Sequence, residues 1–305
     1  MARTNPMSLD CKHTYRLSEV GLTDSRPARV WITPFDRDIG AHDHDFHEIS
    51  FVLQGRAEHV TDAGTFRISP GDVMIIQPGH PHRFTKFDEL VLMNVLYLPE
   101  WLLEDLNLLL DEEGIVPLFF SSTLFSAPLY KPALQFPLLP DYWPGFTGEL
   151  MALARERDCE NPSKLLLKSA VFRLMRMIVR SLQAHDPEFA KFGLSHEVYL
   201  TAQHMENILR EQKPYSDDDC ARAVAKSPGR WRKSFKEQTG CTPHEYYLQR
   251  RMIRARNLLV QSRLNLTEIA LSLHFSDSAH FSNSFKTATG VSPLEYRKTY
   301  RRNMP

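Results

Sequence analysis

Two stretches near the C-terminus repeat one arrangement of apolar and polar positions. Residues 233–246 read KSFKEQTGCTPHEY and residues 283–296 read NSFKTATGVSPLEY, with Ser, Phe, Lys, Thr, Gly, Pro, Glu and Tyr in register at an offset of 50. Such a period marks a duplicated unit, and two copies are too few to stack as a solenoid. Each copy closes a helix–turn–helix pattern. In 266–290, LTEIALSLHFSDSAHFSNSFKTATG, Thr267 is placed to cap a short helix whose inward residues are Ile269, Ala270 and Leu273. A turn at His274–Ser276 leads to a second helix starting near Asp277. There Phe281 and Phe285 share one face, and Gly290 supplies the C-cap. In 217–240, Ser227 is the N-cap and Pro228 takes the first helical position, where its missing N–H costs nothing. Trp231 and Phe235 are the matching buried pair, and Gly240 closes the helix. Between the copies, 245–262 (EYYLQRRMIRARNLLVQS) predicts a longer helix holding the two motifs at a fixed spacing.

The N-terminal third has a different period. Residues 42–55, HDHDFHEISFVLQG, run from a polar start into an alternating, β-branched stretch. Residues 57–68 suit a hairpin turning near Asp62–Gly64, and 68–84, ISPGDVMIIQPGHPHRF, sets a VMII strand between Pro-Gly turns. With the apolar run 90–98, these strands predict a small antiparallel β-barrel over about 15–98, within a domain of residues 1–98. Further on, 99–113 is amphipathic, 119–140 is apolar and irregular, and 150–159 and 162–184 have helical spacing. In the last, Leu165, Leu166, Ala170, Leu174, Met177 and Ile178 form a stripe. Residues 99–184 are therefore expected to be a helical packing and dimerisation region. Residues 185–195 are expected to be a linker, and 196–305, opened by the amphipathic helix 197–212, an all-α domain. The expected fold is two-domain α+β.

A length of 305 residues suits two domains, and the 42% hydrophobic and 24% charged content is that of a globular protein. The charge divides along the same boundary. Residues 221–305 hold 16 Lys+Arg against 5 Asp+Glu, a net +11, which leaves −11 on residues 1–220 because the chain totals 37 of each. A basic module joined to an acidic one is the footprint of a nucleic-acid binder with a separate second domain. The longest apolar runs fall far short of a membrane span. The N-terminus shows no secretory segment, and Cys11, Cys159, Cys220 and Cys241 are scattered. These features lead us to expect a cytoplasmic protein with reduced thiols and no membrane contact.

The second helix of such a motif enters the DNA major groove. With the aromatic pairs facing inward, the outward residues are Gly229, Arg230, Arg232, Lys233 and Lys236 in the first copy. In the second they are Ser278, Ala279, His280, Ser282, Asn283 and Lys286. Arg reads guanine and Asn reads adenine through paired hydrogen bonds. Lys236 and Lys286, nearer the helix ends, suit phosphates, which position the protein without specifying sequence. Residues 199–301, above all IALSLHF-S-(x)4-F-S-(x)2-FK-(x)3-G-(x)2-P-x-EYR, resemble the AraC/XylS family of bacterial regulators. That family usually has Gly at the positions of Ala225 and His274, and Leu at that of Trp231. The resemblance implies double-stranded DNA as partner, with a homodimer, contact with RNA polymerase and activation as the commoner output.

The polar set of the barrel is His42, His44, Glu48 and His82, spaced as His-x-His-(x)3-Glu with a later His. This region resembles the cupin superfamily, and 44–55 with 90–100 resemble the rhamnose-responsive branch of the regulators. Three readings stay open for the set. It lines a pocket for a small molecule, which the rhamnose-branch resemblance suggests is a sugar or related polar metabolite, it holds a divalent metal, or it is structural. Pro78 and the residues after His82 depart from the metal-binding pattern. No P-loop, GxGxxG or Ser-His-Asp set is present, so no other cofactor is expected and the chain is read as a regulator, not an enzyme. The alternative is a metal-dependent cupin enzyme or metal sensor joined to a DNA-binding module.

Overall fold

The alternating stretches become the strands of one sheet. They are β1 (His13–Tyr15), β2 (Ala28–Pro34), β3 (His42–His44), β4 (His47–Thr61), β5 (Gly64–Ile68), β6 (Asp72–Ile76), β7 (His82–Tyr97) and β8 (Ala133–Pro137). This computed structural model describes residues 9, 11, 13–23, 26–35, 40–126, 129, 133–186, 189 and 193–301. The hydrogen-bonded path is β1-β3-β7-β4-β6-β8, with β2 also on β7 and β5 also on β4. One pair departs from the expected antiparallel barrel: β1 runs parallel to β3. The hairpin of β4 and β5 turns at Asp62 and Ala63, with Thr61 opposite Gly64, as the alternation predicts.

The long strands β4 and β7 pair with register shifts between Val52 and Glu58. Gly55 sits there at φ +78°, and a Cβ on it would lie 2.3 Å from the carbonyl oxygen of Glu89. Only glycine fits such a crossing of two backbones. The interior around the shift is filled by Val52, Ala57, Ile68, Met74, Ile76, Phe84, Leu90 and Leu92.

The fold divides into two units, Met1–Pro99 with Lys131–Lys191 and Glu100–Tyr130 with Phe192–Pro305. The helical region expected over 99–184 is therefore divided. Its later part, α5 (Trp143–Arg157) and α6 (Lys164–His185) after the short α1 (Leu17–Val20), belongs with the sheet. The Phe51 ring packs 5.1 Å from that of Phe146, and Arg173 grips Glu149 through two 2.7 Å bonds between the helices. On α6, Ala170, Leu174 and Ile178 are buried, whereas Leu165 and Leu166 of the expected stripe are 77% and 56% exposed.

In the second unit, α2 (Pro99–Leu102), α3 (Leu106–Leu110) and α4 (Ser121–Leu124) join α7 (His196–Arg210) and the C-terminal helices. Those are α8 (Asp217–Ala223), α9 (Pro228–Thr239), α10 (Pro243–Gln261), α11 (Leu266–Ser272), α12 (Ser278–Thr289) and α13 (Pro293–Arg301). The apolar stripe of the early helices meets α7 and α10: Tyr199 donates to Asp111 at 2.7 Å, and Phe125 stacks on Tyr246 at 5.6 Å. A fully buried pair fixes the junction. Arg250 donates to Glu206 from Nε at 2.6 Å and from Nη2 at 3.0 Å, and Nη2 also reaches the Leu103 carbonyl at 2.8 Å. The linker expected over 185–195 lies largely outside the described residues.

Candidate functional site

Helices α8–α9 and α11–α12 form the two predicted motifs. Gly240 and Gly290 end α9 and α12 in left-handed conformations at φ 76° and 79°. Trp231, Phe235, Phe281 and Phe285 are all fully buried. Two caps differ from expectation: Ser227 takes the N-cap position of α9 but its side chain makes no capping hydrogen bond, and the cap of α11 is a different residue. Asn265, not Thr267, caps α11, accepting from the Glu268 N–H while the Glu268 carboxylate accepts from the Asn265 N–H. Asn265 has Glu three residues on, as a capping box requires, and Thr267 does not.

The expected outward residues separate by helical position. Gly229, Arg230, Arg232, Lys233, Lys236, Ala279, His280, Asn283 and Lys286 are exposed, and Ser278 and Ser282 are half-buried. At 3.6 residues per turn, Arg232 and Ser282 follow a buried aromatic directly and sit at the edge of the inward face. Both are engaged there: Arg232 Nη1 donates to Asp217 at 2.9 Å, and Ser282 donates to the Ser278 carbonyl at 2.7 Å. The Asp217 carboxylate also accepts from the Tyr215 hydroxyl. The His280 ring leans edge-on to Phe275 at 5.3 Å. Among the described residues, the side chains of Arg230, Lys236, Asn283 and Lys286 make no ion pair or hydrogen bond within the chain. Arg230, Lys233 and Lys236 stand in the first copy where His280, Asn283 and Lys286 stand in the second.

In the sheet domain, His42, His44, Glu48 and His82 are all buried. The three imidazoles share one arrangement. Nδ1 of His44 lies 2.7 Å from the Phe46 carbonyl oxygen, that of His42 3.2 Å from Gly40, and that of His82 3.3 Å from His80. A carbonyl only accepts, so each Nδ1 carries the proton and each Nε2 presents a lone pair. The ligand atoms of His44, Glu48 and His82 all lie within 4.8 Å of one another. His42 is outside that triplet, although its ring is 4.3 Å from that of His82. His44 Nε2 is buried without a hydrogen-bond partner and lies 3.4 Å from a Glu48 oxygen. Both atoms are acceptors, so the geometry calls for a donor or a cation between them. The other Glu48 oxygen accepts from Ser50 at 2.7 Å.

One neighbour was not singled out from sequence. His59 is buried, its ring stacked on Phe84 at 4.9 Å and 5.8 Å from that of His82. Its Nδ1 is 3.2 Å from Gln135 Oε1 on β8, and its Nε2 has no partner. Burial pushes its pKa down to about 4, partly offset by the Gln135 contact. Burial, with repulsion from His42, His44 and His59, holds His82 well below the usual imidazole range. Burial also lowers His42. Burial thus keeps His42, His59 and His82 uncharged at neutral pH.

Comparison with known proteins gives matching assignments for both halves. Residues 35–136 match the model of an AraC-like ligand binding domain, and residues 220–299 that of a helix-turn-helix domain. The chain is similar to the HTH-type transcriptional activator RhaR of Shigella flexneri serotype 5b, 28% identical over 274 residues that cover 86% of this chain and 89% of that protein. It is 29% identical over 276 residues to the protein of the same name from Escherichia coli O139:H28, with the same coverage. Among solved structures it is similar to an AraC-type transcriptional regulator from Chromobacterium violaceum. That match is 30% identical, covers 35% of this chain and 95% of that one, and has a TM-score of 0.33.

Proposed function

We propose that this chain, which belongs to the AraC family of transcription regulators, reads two adjacent major-groove segments with α9 and α12 and is switched by a small polar molecule in its sheet domain. The observation that carries the reading is the duplicated motif: two helices with an aromatic pair buried at equivalent positions, the same glycine cap and basic or amide side chains at equivalent outward positions. Arg230, Arg232 and Lys233 in the first copy, and Asn283 in the second, are the base readers. Lys236 and Lys286 hold phosphates. Gly229, Ser278, Ala279, His280 and Ser282 complete the faces.

The decisive experiment is a salt titration of DNA binding. Lys286→Ala weakens binding to operator and random DNA alike and lowers the slope of log K against log salt by about 0.9, the value of one phosphate contact. An unchanged slope removes Lys286 from the interface.

In the sheet domain, His42, His44, Glu48 and His82 bind the effector, with His59 joining them. A hydroxyl donates equally well to His44 Nε2 and to Glu48, which favours a polyol such as a sugar. The relatives bear the name of activators, and activation, a homodimer, contact with RNA polymerase and a cytoplasmic location belong to this proposal. No described helix is long and apolar enough to cross a membrane. No catalytic step is assigned to the cluster.

A second reading is favoured by the triplet of ligand atoms. His44, Glu48 and His82 fit a divalent transition ion, because the lone pair of His44 Nε2 is unpartnered. Such an ion supplies Lewis-acid chemistry, and these residues would hold it. Stoichiometric metal in the purified protein, lost in His44→Ala, establishes that reading. A thermal shift with one sugar and no bound metal establishes the first.

A further inference from the structure

The two motifs differ in their turns. Residues 224–227 join α8 to α9, whereas residues 273–277 join α11 to α12, so the second turn is one residue longer. Each turn passes through one left-handed residue, Ala225 or His274, and the next residue is the one that is braced. In the first motif that residue is Lys226, whose ammonium is held by Glu197 of α7 and Ser234 of α9. In the second it is Phe275, and its brace comes from α10. The Arg251 guanidinium lies over the Phe275 ring, with Cζ 3.6 Å from the ring centre. Its Nε donates to the Leu273 carbonyl at 2.6 Å, on the other side of His274. One guanidinium therefore grips both ends of the left-handed step.

Arg251 is buried, and among the described residues it meets no carboxylate. Its contacts are the Leu273 carbonyl, Phe275 and the Tyr247 ring at 5.6 Å. A desolvated cation on an aromatic face is the strong form of that contact. A planar guanidinium can lie on a ring and donate in its own plane at once, which an ammonium cannot. Tyr247 stands four residues earlier on α10, on the same face as Arg251. Its ring stacks on Tyr215 at 4.6 Å. The Tyr215 hydroxyl donates to Asp217, the carboxylate that holds Arg232 of α9. In the other direction, Phe275 meets His280 at 5.3 Å and Phe281 at 5.4 Å on α12. The stack thus runs through α10 from an outward side chain of one reading helix to an outward side chain of the other.

We propose that Arg251 is a positioning residue for DNA reading: clamped on Phe275 and Tyr247, it fixes α12 against α9, so that the pair accepts only one spacing of its two DNA segments. The inference rests on the reading of α9 and α12 given above and adds what sets their register. Arg251 is buried and touches neither base nor phosphate. One inserted base pair turns the second segment by roughly 35° about the DNA axis. A rigid pair of helices cannot follow that rotation, and a loosened pair can.

The test begins with selection by the full chain from duplex DNA carrying about 30 random base pairs, roughly three helical turns. Affinity is then measured on the selected site and on versions with one base pair inserted or removed between its two blocks. The wild type loses about tenfold or more on either change, the scale of one mismatched pair, whereas Arg251→Lys and Phe275→Leu lose about threefold or less. Phe275→Tyr keeps the ring and retains the wild-type discrimination. A merely structural role would lower the melting midpoint or weaken binding to all DNA and leave the spacing preference alone. Undiminished discrimination in both Arg251→Lys and Phe275→Leu overturns the proposal. So does a wild type that binds the lengthened site as tightly as the parent, a result that needs no variant. A salt slope lowered by about 0.9 in Arg251→Met also overturns it, since that marks a direct phosphate contact. A wild type that selects only one block rejects the two-helix reading itself, a failure distinct from that of the clamp.

Discussion

The turns of the two reading motifs use left-handed residues that are not glycine. Ala225 has φ 54° and His274 has φ 58°, at the positions where the resembling family usually has Gly. An L-residue pays roughly 1–2 kcal/mol in that region, whereas glycine gives back about 0.5–1 kcal/mol through its larger unfolded-state entropy. Ala225→Gly should therefore stabilise the second unit by roughly 0.5–1 kcal/mol. His274→Gly gains the same amount and also removes Nε2, which is buried without a partner. The two positions lie in different motifs, so the gains add to about 1–2 kcal/mol, or a rise of roughly 3–8 °C in the midpoint of a unit this size. Gly290→Ala provides the mirror experiment. Gly290 has φ 79°, and a Cβ there meets nothing within 4 Å, so its loss of roughly 0.5–1 kcal/mol is a backbone effect alone. Scanning calorimetry of the full chain checks all three variants. The relevant transition is the one that operator DNA raises, because a ligand stabilises the unit that binds it. A lower midpoint in Ala225→Gly, or an unmoved one in Gly290→Ala, refutes the reasoning.

Other substitutions test separate parts of the molecule. Asp217→Ala frees the Arg232 guanidinium; such a half-exposed pair contributes only about 0–1 kcal/mol to stability, so folding stays intact while base preference broadens. Selection from a randomised operator that returns an unchanged sequence would count against Asp217 as the residue positioning Arg232. Glu206→Ala strands the buried Arg250 charge and should cost about 3–5 kcal/mol in urea unfolding, whereas Glu206→Leu combined with Arg250→Met recovers most of it. A loss under about 1 kcal/mol in the single variant contradicts the assigned burial. His59, held near a pKa of about 4 by burial, stays neutral in the folded state while the unfolded chain takes up a proton below about 6.5. Its contribution is complete above that pH and falls as pH drops toward 4, by up to ~3 kcal/mol. His59→Gln should flatten the acid limb of a stability–pH curve, and an unaltered limb rejects the neutral assignment.

The reading motifs were legible because several local signals agree there and the repeat checks each one. Phe285 faces inward for the same reason as Phe235, and both helices end on a glycine. The cap of α11 was legible too, in the spacing of Asn265 and Glu268, although Thr267 is also a capping residue by type, if a weaker one. The site in the sheet was only half legible. Glu48, Ser50 and Val52 point inward on even numbers, whereas beyond the shift at Gly55 the buried alternate positions are Ala57, His59 and Thr61. One extra residue in one strand reverses the parity, so an alternation carried through from Glu48 puts His59 on the wrong face. The division of the central helices lay beyond sequence for a different reason. An apolar stripe over 99–125 says that a face must be buried and is silent on what buries it. The choice is made by long-range partners, Glu206 with Arg250 and Phe125 with Tyr246, whose separations in the chain leave no local trace.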